Sequence, residues 1–169
     1  MEVELGTEPA NDCRMDETAI PYETAFVKKG LLMNEAKSTC EWSQTVDPTA
    51  YRVLFEDATE RAGTSPLNDE KREGTYICAA CFRPLFDSSA KYDSGTGWPS
   101  FLYALPGAVD TKTDSKLIYP RTEYHCAHCG GHQGHVFDDG PKPKGKRYCN
   151  NGVALRFVPR GEPLPEPRN

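Results

Sequence analysis

Two Cys-x-x-Cys pairs, Cys78-Ala79-Ala80-Cys81 and Cys126-Ala127-His128-Cys129, constrain this chain more than any other feature. Each pair has the spacing of a metal-binding knuckle, and two knuckles supply the four sulfurs of the tetrahedral shell that zinc prefers. The stretch between them, residues 82–125, is 44 residues long. Tying its ends to one ion restricts a long loop in the unfolded chain and stabilises a small domain. Four thiolates leave no coordination position for water, so the expectation is one structural Zn2+ that staples rather than catalyses. Two redox dithiols or a pair of disulfides would use the same residues. The duplicated spacing favours zinc, and the acidic start at residues 1–5, unlike an export signal, favours a reducing, cytoplasmic setting.

Composition removes other classes. A net charge of -5 gives no global attraction for phosphate backbones, and the basic run at 142–147 is short, so no nucleic-acid partner is expected. Apolar runs are far too short for a bilayer, so no membrane role is expected either. Residues 1–45 read as a peripheral arm, with one short amphipathic segment around Phe26, Val27, Leu31, Leu32 and Met33. Asp47-Pro48 then supplies an N-cap and a first-turn proline, and Tyr51, Leu54, Phe55, Ala58 and Ala62 repeat at helical spacing until Gly63. From Gly74 onward short extended runs alternate with Gly, Pro, Asp and Ser: Thr75-Tyr76-Ile77, residues 116–119, His135-Val136-Phe137 and residues 154–158. The class is therefore mainly β, with one domain over 46–159 and a Pro-rich tail over 160–169 that is expected to fray.

The four histidines fall in one window, His125, His128, His132 and His135. With the sulfur shell complete, they are free for other work. His125 and His128 flank metal ligands and read as bystanders, whereas His132 and His135 bracket Gln133-Gly134, a predicted turn that would aim both imidazoles into one pocket. Cys149 stands apart from both knuckles, in Arg147-Tyr148-Cys149-Asn150-Asn151. If that stretch is extended, Arg147, Cys149 and Asn151 share a face, and a cation beside a thiol favours the nucleophilic thiolate. In Ser-Gly-Thr-Gly-Trp-Pro-Ser-Phe, residues 94–101, two glycines permit a tight path and Pro99 stiffens the presentation of Trp98. An aromatic wall beside a thiol suits a methyl group carried on sulfur.

GTGWPSF, the two knuckles, GHQGHVFDDGP and RYCNNGVALRF, spread in the family's order over roughly residues 51–159, together resemble the B-type methionine sulfoxide reductases. The resemblance implies two antiparallel β-sheets with peripheral N-terminal helices and a zinc site remote from the active site. It implies reduction of methionine R-sulfoxide, free or in proteins, with Cys149 attacking sulfur and passing through a sulfenic acid. It implies that His132 and His135 stabilise or protonate the oxygen, that Trp98 receives the methyl, and that Arg147, Asn151 and Asp139 support the site. Thioredoxin or a low-molecular-weight thiol would supply the electrons, and no organic cofactor is implied.

The chain departs from the family pattern at Thr96, where many members carry the resolving cysteine. Cys40 is the candidate resolving thiol, with Cys13 or none as alternatives. Two other classes use some of the same features: a zinc-stabilised β module that only binds a partner, and a general thiol oxidoreductase working through one knuckle. Neither needs Cys149, the histidine pair and Trp98 together.

Overall fold

The computed structural model describes residues 39–114 and 120–169. The amphipathic segment at 26–33, Cys13 and the run at 116–119 lie outside the described residues, as does the side chain of Cys40.

Helix α2, Pro48–Phe55, begins as its sequence dictates: Asp47 Oδ1 accepts from the amides of Thr49 at 2.9 Å and Ala50 at 3.2 Å, and Pro48 occupies the first turn. It ends earlier than the periodicity predicts. The amides of Glu56 and Ala58 both donate to Arg52 O, and Asp57 takes a left-handed conformation at φ 58, so the chain leaves the helix well before Gly63. The released segment makes tertiary bonds instead, with Glu60 N donating to Asn151 Oδ1 at 3.0 Å and Gly63 N to Gly97 O at 2.7 Å. Those bonds override the helical spacing of Ala58 and Ala62. Helix α1, Thr39–Thr45, belongs to the packed body, because Trp42 is 2% exposed and its ring stacks 6.2 Å from that of Phe55.

The remainder is β-structure, as the extended runs predict. Strands β1 (Gly74–Cys78), β2 (Pro84–Asp87) and β9 (Leu155–Pro159) form a three-stranded sheet in the order β2-β1-β9. Strands β3 (Lys91–Tyr92), β4 (Ser100–Phe101), β5 (Val109–Asp114), β6 (Arg121–Cys126), β7 (His132–Phe137) and β8 (Arg147–Asn150) form a six-stranded sheet in the order β3-β4-β8-β7-β6-β5. Every pairing in both sheets is antiparallel.

The sheets meet through aromatic rings. Tyr76 and Phe86 of the small sheet face Phe101, Tyr124 and Tyr148 of the large one; Phe86 stacks 4.1 Å from Phe101, and Tyr124 meets Tyr148 edge-on at 5.3 Å. Aromatic pairs of this kind contribute roughly 0.5–1.5 kcal/mol each beyond the area they bury. Because Tyr148 points into this core, alternation along β8 sends Arg147 and Cys149 to the opposite face.

Residues 160–169 form no regular element, and Arg168 near their end is bonded to the body. Arg168 N donates to Cys81 O at 2.9 Å, its Nη1 donates to Thr45 O at 3.0 Å, and its guanidinium lies 3.9 Å from the centre of the Phe82 ring. No helix among the described residues is long and apolar enough to cross a membrane.

Asp47 makes two capping bonds, so Asp47→Ala should cost about 1 kcal/mol. Denaturant unfolding of the full chain should show a lower midpoint with an unchanged slope.

Candidate active site

The two knuckles come together across the sheets. Cys78 ends β1 and Cys126 ends β6, while Cys81 and Cys129 sit in the turns that follow. Cys78 Sγ is 3.6 Å from Cys129 Sγ, Cys81 Sγ is 3.5 Å from Cys126 Sγ, and all four sulfurs lie within 4.8 Å of one another. A tetrahedron of Zn–S bonds near 2.3 Å places its sulfurs roughly 3.8 Å apart. A disulfide requires about 2.0 Å, and all four thiols are free. The donor set and its spacing fit a metal ion held by four sulfurs, which would cross-link the small sheet to the large one. Gln133, fully buried, donates from Nε2 to Cys78 Sγ at 3.5 Å.

The same glutamine shapes the second site. Along the β6–β7 pair, Tyr124 opposes Gly134 but His125 opposes His132, which leaves Gln133 as the extra residue of a bulge. Gln133-Gly134 is thus strand, not the predicted turn. In a regular strand His132 and His135 would point to opposite faces; across the bulge their ring centres come within 5.4 Å. Strand pairing then sets His135 directly opposite Cys149, and Gly134 opposite Asn150. Only glycine fits at 134, since a Cβ there would lie 1.9 Å from Cys149 O.

Cys149, His135 and Trp98 line one open cleft of about 130 Å³, with Thr59, Phe137, Gly134, Asn150, Asn151 and Arg121. Trp98 is aimed as the Gly-Thr-Gly path predicts: Gly95 and Gly97 have φ of 69 and 87, and the indole Nε1 donates to Glu60 O at 2.9 Å. Arg147 lies 4.3 Å from the centre of the Phe137 ring and makes a two-pronged ion pair with Asp139, Nε to Oδ1 and Nη2 to Oδ2, both at 2.8 Å. Asp139 therefore orients the arginine. Asn151, expected on the same face as Cys149, reaches the cleft wall but spends its amide elsewhere, accepting from Glu60 N and donating to Gln133 O at 3.1 Å. His132 is not at the cleft surface; it is buried one layer behind His135.

The SelR domain family model matches residues 46–159. Over 128 residues the chain is 50% identical to "Peptide methionine sulfoxide reductase MsrB" of Thiobacillus denitrificans, covering 75% of this chain and 97% of that protein. It is 48% identical to the protein of the same name from Leptospira interrogans, covering 72% and 93%. It is 50% identical to "Peptide methionine sulfoxide reductase B1, chloroplastic" of Arabidopsis thaliana, covering 69% of this chain and 58% of that protein. The chain belongs to the methionine sulfoxide reductase B family.

In this member of the family the electrostatics of the cleft are set by burial. Arg147 and the Thr96 hydroxyl both favour the Cys149 thiolate, but desolvation is the larger effect and holds the thiol above its ordinary pKa. Arg147 acts in the direction expected of a cation beside a thiol, but burial outweighs it. His132 is pushed down to about 4, first by burial and then by its histidine neighbours. Several residues of this methionine sulfoxide reductase B site went unread in the sequence. Phe137 gave only an extended apolar signal, and Thr59 and Glu60 were concealed inside an apparent helix. Glu123 lies 3.1 Å from His125 Nε2 and 3.4 Å from His132 Nδ1, a proximity that depends on strand register.

The His132 ring should thus stay neutral from pH 7 down to pH 5 and titrate near 4. An NMR titration of the histidine rings would detect it; a midpoint close to the ordinary value of about 6.5 would contradict the assigned burial.

Proposed function

We propose that this methionine sulfoxide reductase reduces the R epimer of methionine sulfoxide, free or within proteins, with Cys149 as the nucleophile. The observation that carries the reading is the pairing of Cys149 with His135 across β7 and β8, at the wall of a cleft shared with Trp98. The indole receives the methyl group on sulfur, and its fixed Nε1 bond keeps the ring from swinging away.

The resting thiol carries its proton, and the reaction needs one. Cys149 sulfur attacks the sulfoxide sulfur while its proton passes to the oxygen through the imidazole of His135 at the cleft wall, with His132 packed behind that ring. In the sulfur–sulfur adduct so formed, the hydroxyl leaves the substrate sulfur and bonds to Cys149 sulfur as the new sulfur–sulfur bond breaks, so Cys149 becomes a sulfenic acid and methionine leaves reduced by two electrons. Arg147, held by Asp139, stabilises negative charge on Cys149 as the proton departs. Asn151 acts as a brace, holding the 57–62 segment and the β7 bulge so that Trp98 and Cys149 keep their separation.

Regeneration consumes two thiols. One condenses with the sulfenic acid to form a disulfide and water, and a second releases Cys149 by exchange. Thr96 cannot provide the first, so Cys40 is the candidate resolving residue, with thioredoxin or a small thiol acting next or acting alone. Such thiol traffic suits a reducing compartment, the cytoplasm. The four-cysteine site holds Zn2+, with Cys78, Cys81, Cys126 and Cys129 closing the shell, and its contribution is to fix the two sheets together.

Turnover of the R and S epimers separates these roles. With dithiothreitol, wild type should reduce only the R epimer and Cys149→Ser should lose activity by at least about a thousandfold, the scale on which a lost nucleophile is felt. Retained turnover in Cys149→Ser would overturn the assignment. With thioredoxin, Cys40→Ser should slow turnover while leaving the dithiothreitol rate intact; equal thioredoxin rates would remove Cys40 from the cycle.

Metal analysis of the purified full chain should find one zinc per chain. Cys126→Ser should lose the ion and its cooperative unfolding, because a structural zinc contributes about 10 kcal/mol or more. Cys149→Ser should keep it.

A further inference from the structure

Glu123, His125 and His132 form a cluster that the reduction chemistry does not explain. Glu123 is 4% exposed, the His125 side chain 15% and the His132 side chain 8%, and each offers a ligand atom within 4.8 Å of the others. The β6–β7 bulge creates it: Glu123 and His125 are two apart on β6, and the register shift sets His132 opposite His125.

The nitrogens facing the carboxylate are unsatisfied. His125 Nε2 and His132 Nδ1 are buried and make no hydrogen bond, although Glu123 Oε1 and Oε2 lie 3.1 and 3.4 Å from them. Donor atoms at that spacing, but not aligned to bond one another, are what ligands around a shared cation present. Tetrahedral Zn–N and Zn–O bonds near 2.1 Å place their donors roughly 3.4 Å apart. The opposite side of His125 agrees. Its Nδ1 lies 3.1 Å from Gly130 O, and since a carbonyl only accepts, Nδ1 carries the proton and the neutral ring turns the Nε2 lone pair toward Glu123. A histidine fixed by a backbone carbonyl through its other nitrogen is the usual outer support of a metal ligand. Lys112 Nζ, 2.8 Å from Glu123 Oε1 and 62% exposed, is the competing cation, and its exposure lets it swing away.

We propose that Glu123, His125 and His132 form a second site for a divalent transition metal, distinct from the four-cysteine site, and that its occupation slows the reductase. Two imidazoles and one carboxylate suit Zn2+ and leave a position for water. The ion takes the Nδ1 position of His132, whose ring packs 5.4 Å from that of His135, and so places a positive charge behind the imidazole that carries the proton. The effect on turnover rests on the function proposed above; the binding does not.

Binding is therefore tested first. Zn2+ is titrated calorimetrically into the zinc-loaded full chain carrying Cys149→Ser, which removes the active-site thiol as an alternative ligand. One further equivalent should bind. Adding His125→Gln should weaken it about tenfold or more, the scale of a lost ligand or support, whereas Lys112→Met should tighten it. On zinc addition the His125 Nε2 and His132 Nδ1 NMR resonances should shift while those of His128 do not. The site is overturned if no further equivalent binds, or if His125→Gln and Lys112→Met leave the affinity unchanged. In the wild-type background, excess zinc should inhibit R-sulfoxide turnover and His125→Gln should relieve that inhibition. Equal inhibition of both would place the effect at Cys149 and overturn the inhibitory role even where binding is found.

Discussion

The bulge at Gln133 is the constraint on which the rest of the molecule depends. One extra residue in β7 lets His132 and His135 share a face, and it aims the Gln133 side chain at the cysteine cluster on the other. The carbonyl of the same residue accepts from both the backbone and the side-chain amide of Asn151, and so fixes where the chain leaves β8. A single irregularity thus joins the sulfur site, the histidine pair and the strand that carries Cys149. Without it a regular ladder would bury one imidazole on the wrong face.

Around that bulge the cleft is assembled from chain segments that have little structure of their own. The 57–62 segment has no regular conformation, yet Glu60 is bonded three ways: its amide to Asn151 Oδ1, its carbonyl to the Trp98 indole, and its carboxylate to Gly152 N at 2.6 Å. Burial raises the Glu60 carboxyl pKa even though backbone bonds from Gly152 and Val153 oppose the shift. A half-buried acceptor of that kind is stable only while its donors stay in place, because an unsatisfied group costs about 1–3 kcal/mol when fully buried. The network therefore fixes Trp98 relative to Cys149 more firmly than side-chain packing alone would, which is what the methyl-receiving role proposed for Trp98 requires.

How much of this could be read from the sequence follows from the range of each interaction. Cys78, Cys81, Cys126 and Cys129 were legible because knuckle spacing is local and its chemistry nearly unique. Cys149 and Trp98 were legible because polar neighbours in one case, and paired glycines in the other, make poor sense in an ordinary core. The β class followed from alternation. The end of α2 did not, because Asp57, not Gly63, turns the chain, and the bonds that draw residues 58–62 away from the helix come from partners some ninety residues later. The bulge was misread as a turn because Gln-Gly suits either, and only the pairing with β6 separates them. Asn151 illustrates a third kind of failure: its position beside the cleft was foreseen, but not that its amide is already committed.

The two shifted pKa values have one origin, and together they explain how the cleft holds its proton. Burial disfavours charge on any group, so the same low-dielectric setting that lowers His132 raises Cys149. At neutral pH this leaves a neutral thiol at the cleft and a neutral His132 ring behind it, with Arg147 and Asp139 compensating each other at the rim. Had Arg147 overcome desolvation, the resting site would hold a permanent thiolate, reactive toward any oxidant that diffused in. On the mechanism proposed for Cys149, a proton kept on sulfur means that the charged pair need form only when a sulfoxide oxygen is present to take the proton. The energy spent separating charge is then recovered within the same step. Burial thus makes the thiol slow toward oxidants at large while keeping on it the one proton that the proposed step consumes.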